Sequence, residues 1–341
     1  MIKNILIKYH SQVSIDEHHR YKSWEHCFRF FQRNYNKLHM EDILDHSSLQ
    51  MGFYLASWGM LRGSSFLFQK DYLIHTYFLK EVVADKTNIC YFAHESKRYL
   101  EPQDFMGIDE LIGKTKLAYS KNIKSVNGEL QEIHVTDTLA SKILLGVYGN
   151  VPAYDRYFKD ALTLFGIRTS FDEQSLLRLV EFYKDHFTEF DSFRTNYRTE
   201  YFYYPPMKLI DMFFFQIGLM MDDPEKYKEE IEEVFAFVEN YRSTKKHEME
   251  EYYKPIIKRE RKNIGLTEEI RRYILTMLNE AKEKGENYLD IRSGDIHKAM
   301  GLKDRLPPVC NAMESLHLYR YEILHDTPSG KSSTKLIRYY L

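Results

Sequence analysis

The chain has 341 residues, of which 43% are hydrophobic and 29% charged; this is the profile of a folded protein of about two domains and excludes an extended disordered one. Its formal net charge of −2 excludes a uniformly basic nucleic-acid binder but conceals an asymmetry. There are 20 Lys+Arg and 15 Asp+Glu from Arg242 onward, against 28 and 35 before it, so a polyanion would meet a local patch rather than a basic surface.

The opening stretch "MIKNILIKYHSQ" lacks an apolar core followed by a small-residue cleavage site, so no export signal is read. Three cysteines, Cys27, Cys90 and Cys310, have no paired spacing, which points to a reducing cytoplasm and offers no zinc site. No metal or other cofactor is expected. The helical period dominates the first 241 residues and predicts an all-α body. Helices are predicted at 23–37, 46–60, 70–83, 137–149, 154–165, 172–188, 205–221 and 223–242. Asp172 before "EQSLLRLVEF" reads as a cap, and Pro205–Pro206 can open a helix but not sit inside one. The longest apolar run, residues 209–221, is interrupted by Asp211 and falls short of the roughly 20 residues needed to cross a bilayer. It reads as a buried helix, and no membrane association is expected.

Within the body, "LASWGMLRGSSFLFQKDYLIH" (55–75) ends one helix near Gly59 and restarts after "RGSS". Arg62, the hydroxyls of Ser64 and Ser65, and free backbone amides at a helix start form a sensible phosphate site; a capped turn accounts for the same residues. The spacing is not that of a P-loop. Trp24 and Trp58 are the only tryptophans and suit either the core or the wall of a base pocket. Farther on, "VTDTLASKILLGVYGNVPAYDRYFKDAL" (135–162) reads as helix, turn from Gly149 to Pro152, then a second helix beginning near Asp155. As a helix cap Asp155 needs no further role; as a fixed anion it can do chemistry.

The segment 242–263 holds eight basic residues against four acidic ones, with Pro255 in its middle, and reads as a basic linker between a body at 1–241 and a domain at 264–341. After it, "LTEEIRRYILTMLNEAKEKG" is an amphipathic helix stopped by Gly285. The remainder reads as short helix, turn at Gly301, second helix and two β-rich runs, "YRYEIL" and "KLIRYY", joined by a Gly/Ser/Pro loop. That order is a helix-turn-helix plus a wing. Lys331 in the wing, Asn311 on the second helix and Arg305 in the turn are its candidate DNA contacts, although many such folds bind only protein. The fold class expected is therefore mainly α, with a helical body followed by a small α+β winged-helix domain.

Two resemblances give these elements a direction. "SGDIHKAMGLKDRLPPVCNAM" resembles a small C-terminal module of bacterial restriction and phage-defence proteins, which implies a DNA-related setting. Ala140, Gly149, Pro152 and Asp155, followed by an apolar stripe through Tyr157, Phe158 and Leu162, resemble the helix-hairpin-helix DNA glycosylase superfamily. That resemblance implies a glycosylase-like body in which Asp155 is catalytic, acting on a nucleotide flipped out of double-stranded DNA into a pocket with Tyr154, Tyr157 and Trp58 at its walls. The family's glycine-rich hairpin is replaced here by "IHVTDTLAS". Asp137 stands where the bifunctional members carry a lysine, about 18 residues before the aspartate, and helical phase places Lys142 five residues too late. The expectation is thus a monofunctional DNA glycosylase excising a modified base, in the setting of antiviral defence. The alternative is a non-enzymatic DNA-binding or adaptor protein of a restriction or defence system.

Overall fold

The computed structural model describes residues 1–341 except 64, 94–98, 199–201, 260–265, 304, 317–318 and 328–329; for 246–259, 268 and 283 it describes the backbone alone. Ser64, one of the candidate phosphate contacts, therefore lies outside the described residues. The chain is mainly helical and divides into two compact units, Met1–Leu162 with Ile167–Val234, and Thr163–Gly166 with Phe235–Leu341.

The first unit carries α1 (Ile2–Ile15), α2 (Lys22–Asn34), α3 (Glu41–Ser57), the short α4 (Thr76–Phe78), α5 (Ile108–Ser120), α6 (Asp137–Val147), α7 (starting at Arg156), α8 (Glu173–Asp185), α9 (Phe187–Asn196) and α10 (Pro206–Met221). A two-residue hairpin, β1 (Ser125–Val126) with β2 (Glu129–Leu130), turns at Asn127–Gly128, where both residues have positive φ. The helices expected at 23–37, 137–149 and 205–221 appear as α2 with its following 3-10 turn, α6 and α10. The one expected at 70–83 is broken into 3-10, α and π segments. Helices α1 and α5 were not expected from the sequence. In α1 the buried Ile2, Ile5, Leu6, Tyr9 and Val13 do keep a helical spacing, but no cap or breaker marks its start. Met1 at the N-cap makes no side-chain bond there.

Helix α10 explains how the unit is held together. Fifteen of its residues are buried, including Lys208, Asp211 and Gln216, so it is the central helix and can be apolar on every side. Pro206 opens it within the first turn, where a missing N–H costs nothing. Gly218 is the point of nearest approach to α7: a Cβ there would lie 2.0 Å from the Tyr157 carbonyl oxygen, so no other residue fits without moving a backbone. Rings from several helices then fill the space around α10, with Phe213 and Phe214 against Phe182 and Phe158 against Phe214. This is where the high aromatic content of the chain is used.

The second unit contains the remainder of α11 (Lys228–Arg259), α12 (Leu266–Glu283), β3 (Tyr288–Arg292), α13 (Ser293–Ala299), α14 (Leu306–Glu314), β4 (Tyr321–His325) and β5 (Leu336–Tyr340). Basic residues 242–259 thus continue a helix. The strands form an antiparallel sheet in the order β3-β5-β4; β3 was not expected from the sequence. Ile270, Ile274 and Leu278 of α12 meet Val309, Ala312 and Met313 of α14 and Ile291, Ile337 and Tyr339 of the sheet in one apolar core. The outer face pairs charge across the strands: Arg338 donates to both Asp290 carboxylate oxygens, at 2.7 and 2.8 Å, and stands opposite Glu322 on β4. The loop between β4 and β5 rests on the start of α13, where the Ser293 N–H donates to the Lys335 carbonyl and the Gly294 N–H to the Ser333 carbonyl. A Cβ on Gly294 would come within 2.7 Å of that same Ser333 oxygen. Among the described residues no helix is long and apolar enough to cross a membrane.

Candidate functional site

The turn between α6 and α7 is fixed from both sides. It begins at Gly149, whose φ of +67° suits glycine and whose place a Cβ would contest with the Phe28 ring at 2.4 Å. It then folds back along α6. Thr138 donates its hydroxyl to the Tyr154 carbonyl at 2.8 Å, and the Tyr154 N–H donates to the Ser141 hydroxyl at 2.8 Å. From the α10 side, Asp211 Oδ1 accepts the Ala153 N–H at 2.9 Å. Three side chains on two helices thereby hold three successive peptide groups leading into Asp155.

Asp155 is the cap of α7, its Oδ1 accepting the Phe158 N–H at 3.1 Å. Its other oxygen is committed differently. Because the turn returns to the middle of α6, Lys142 reaches it, with Nζ 3.1 Å from Oδ2. Lys142 stands five residues later than the lysine of the bifunctional members, yet it meets the aspartate because the chain doubles back beside Ser141. The pair is largely enclosed, the side chains being 5% and 13% exposed. In such surroundings a cap alone does not account for a charged lysine, since enclosing two charges is expensive.

Trp58 lies against this pair. Its carbonyl accepts from Lys142 Nζ at 3.2 Å, and Nζ stands 5.4 Å from the centre of its ring. The ring stacks on Tyr21 at 4.6 Å and 17°, and Phe215 meets it edge-on. Its Nε1 is buried and has no partner among the described residues. Tyr157 joins from α7, edge-on to Phe215, with its hydroxyl donating to Asp222 at 3.1 Å; Arg156 grips the same carboxylate through two bonds of 2.8 and 3.0 Å. Burial raises the Tyr21 phenol above its ordinary range against the opposing pull of Arg20, with Tyr157 and Asp155 adding to the rise. Tyr21 is therefore an uncharged ring at neutral pH.

Tyr154, also expected at the pocket wall, is fully buried. Its ring packs on Phe158 and Phe171, its hydroxyl lies 2.7 Å from that of Ser175, and burial pushes its pKa up. Trp24 is likewise buried and bonded through Nε1 to the Leu145 carbonyl at 3.0 Å.

A second ion pair completes the region. Lys208 Nζ lies 2.6 Å from Asp211 Oδ2, with side chains 2% and 5% exposed. The ammonium is ringed by Trp24, Trp58 and Tyr9, at 4.8, 5.3 and 5.5 Å from their centres. Burial, with Asp211 beside it, holds the Tyr9 phenol well above its usual range. Lys208, Asp211, Lys142 and Tyr21 were not singled out from the sequence as site residues. The available signal was a lysine and an aspartate one turn apart inside an otherwise apolar run, which an amphipathic pattern does not require.

The remaining candidates lie elsewhere. Arg62 and Ser65 are on the turn after α3, where the Ser65 N–H donates to the Arg62 carbonyl and the Arg62 guanidinium folds over Gly59. In the second unit, Arg305 is exposed before α14, its N–H 3.4 Å from His297 Nε2. Lys331 donates to Asn311 Oδ1 at 2.5 Å and lies 3.4 Å from Glu314, so two of the candidate contacts are bonded to each other. Among the described residues no group of His, Cys, Asp and Glu is placed to hold a metal ion. No family model matches the chain, nor does any curated protein or solved structure.

Proposed function

We propose that the chain is a DNA glycosylase-like enzyme that excises a modified base from double-stranded DNA, with Asp155 as its catalytic residue. The observation that carries this reading is the enclosed Lys142–Asp155 pair at the start of α7, beside the Tyr21–Trp58 stack. In base excision the bond from C1′ to the base nitrogen breaks and the base leaves with the bonding electrons. The sugar passes through a cation that a fixed carboxylate stabilises, and water adds to C1′ while Asp155 accepts its proton. The helix start and Lys142 hold the carboxylate in place for this step, and the partly exposed rings of Trp58 and Tyr157 offer stacking surface to an extruded base.

We read the second unit, with α12, β3, α13 and α14 followed by β4 and β5 in a sheet of order β3-β5-β4, as a winged helix; on that reading double-stranded DNA is the partner, and antiviral defence is the setting implied by the resemblance of its sequence. Its α14 contributes no lysine or arginine, and Pro307 and Pro308 leave its first turn without those N–H donors. DNA affinity in this reading rests on Arg305, Lys331 and the basic run after Arg242.

A second reading is favoured by Lys142. The expectation of a monofunctional enzyme rested on Asp137 standing at the hairpin position where the bifunctional members carry a lysine; Lys142, five residues later, reaches Asp155 by another route. Once its proton has passed to Asp155, its amine could attack C1′, displace the base and form an imine with the opened sugar, giving strand cleavage. Incubation with duplexes carrying normal or hypermodified bases, followed by alkali, tests both. Strand breaks that need alkali and vanish in Asp155→Asn support hydrolytic excision; breaks without alkali and a borohydride-trapped adduct lost in Lys142→Met support the lyase. No abasic site from any duplex, or sites that persist in Asp155→Asn, contradicts the proposal and leaves the non-enzymatic adaptor.

A further inference from the structure

Resting on that reading, we infer that Asp211, with Lys208 as its counter-charge, is a positioning residue for the candidate catalytic carboxylate: it fixes Asp155 through the Ala153 peptide. The contacts form a closed circuit. Asp211 holds the Ala153 N–H; two residues later Asp155 meets Lys142; Lys142 is bonded to the Trp58 carbonyl; the Trp58 ring faces Lys208; and Lys208 returns to Asp211. Apart from Ala153, which lies in the turn before α7, every member is anchored on a helix or at its end, on α3, α6, α7 or α10. The pair is too buried to bind solutes itself, and Tyr9, Trp24 and Trp58 occupy the space around the ammonium.

Stability alone does not explain the arrangement. A buried ion pair is commonly no better than apolar residues of the same volume, and α10 is otherwise made of such residues. What apolar residues cannot supply is an acceptor for the Ala153 N–H. Without it the peptide must turn to find another partner, since a buried N–H left unbonded is costly. Asp155 then moves with it, and displacement by about 1 Å can cost a rate on the order of a hundredfold.

The test separates the hydrogen bond from the charge. In Lys208→Met/Asp211→Asn both charges are gone and the amide oxygen still accepts from Ala153; in Lys208→Met/Asp211→Leu the acceptor is gone as well. The probe is a duplex bearing a cationic pyrrolidine in place of one deoxyribose, compared with the same duplex bearing a neutral tetrahydrofuran. A carboxylate positioned for excision prefers the cation, here by about a hundredfold. The Asn variant is expected to keep that preference within about fivefold and the Leu variant to lose it, both with unchanged affinity for the neutral duplex. Hydrogen exchange of the Ala153 amide in the free protein is expected to stay slow in the first and to quicken in the second. Loss of the preference already in the Asn variant overturns the inference even if the Leu variant fails to fold. So does an Ala153 amide that exchanges equally slowly in both. Absence of any preference in the wild type defeats the glycosylase reading instead, while the exchange measurement still decides whether Asp211 holds the segment.

Discussion

Both units of the chain contain nearly buried lysines paired with acids, and they use them differently. In the second unit Lys335, 1% exposed, is held between Glu314 at the end of α14 and Asp326 in the loop after β4. Burial alone would lower its pKa, but the bonds to Asp326 and Glu314 win and raise it. Those acids are about a third exposed, and Lys331 beside them is more open still. These contacts fasten a loop to a helix. In the first unit all four groups, Lys142, Asp155, Lys208 and Asp211, are enclosed, rings surround them, and one carboxylate oxygen holds the peptide that precedes another carboxylate. The difference teaches that enclosure on both sides of an ion pair, not the presence of a pair, marks a place where fold stability is not the whole explanation.

The comparison can be broken by substitution. Lys142→Met strands a carboxylate in the interior, and a loss of about 3–5 kcal/mol is expected, whereas Lys142→Met with Asp155→Asn should recover most of it. Denaturant unfolding of the three proteins measures this, and a single variant no less stable than wild type removes the enclosed pair from the account. Gly218→Ala tests the approach of α7 to α10 that closes the region. A methyl 2.0 Å from a carbonyl oxygen should cost about 1–3 kcal/mol or more, seen as a fall in Tm.

His75 sharpens the contrast through pH. It is buried between Gly52 and the Tyr119 hydroxyl, and burial lowers its pKa to about 3 from 6.5. The unfolded chain therefore binds the extra proton between about pH 6.5 and 3. Stability falls as the pH drops through that window, at up to about 1.4 kcal/mol per pH unit. His75→Gln should remove that part of the slope, and an unaltered slope would show that His75 is protonated in the fold. The smallest effect is expected at Lys331→Ala, whose partly exposed contacts are worth about 0–1 kcal/mol; a loss equal to that of Lys142→Met erases the difference between the units.

Much of this was legible in the sequence because it rests on local rules. Helix α10 follows from an apolar run opened by two prolines, α6 and α7 from periodicity on either side of a Gly/Pro turn, and β4 and β5 from β-rich runs around a polar loop. Helix α1 was missed because nothing marks its start, and strand β3 because it is short and buries only Ile291, too little for an alternating pattern. For the site, Asp155, Trp58 and Tyr157 could be singled out because they sit in or near turns, where residue choice is informative. Lys142, Lys208 and Asp211 could not, because their meaning is tertiary. Asp211 reads in the sequence as an interruption of an apolar run and gains a partner only with α10 beside Ala153; Lys142 stands five residues from the position of the family's lysine, and its contact with Asp155 comes only from the turn.

The central claim is that Asp155 is a charge placed for a cationic sugar and not only the cap of α7. Affinity of the full chain for the pyrrolidine duplex relative to the tetrahydrofuran duplex measures that placement without knowledge of the base. A preference of about a hundredfold in the wild type, abolished in Asp155→Asn while the neutral duplex binds as before, is the predicted result. Equal affinity for the two duplexes, or a preference that survives in Asp155→Asn, contradicts the account.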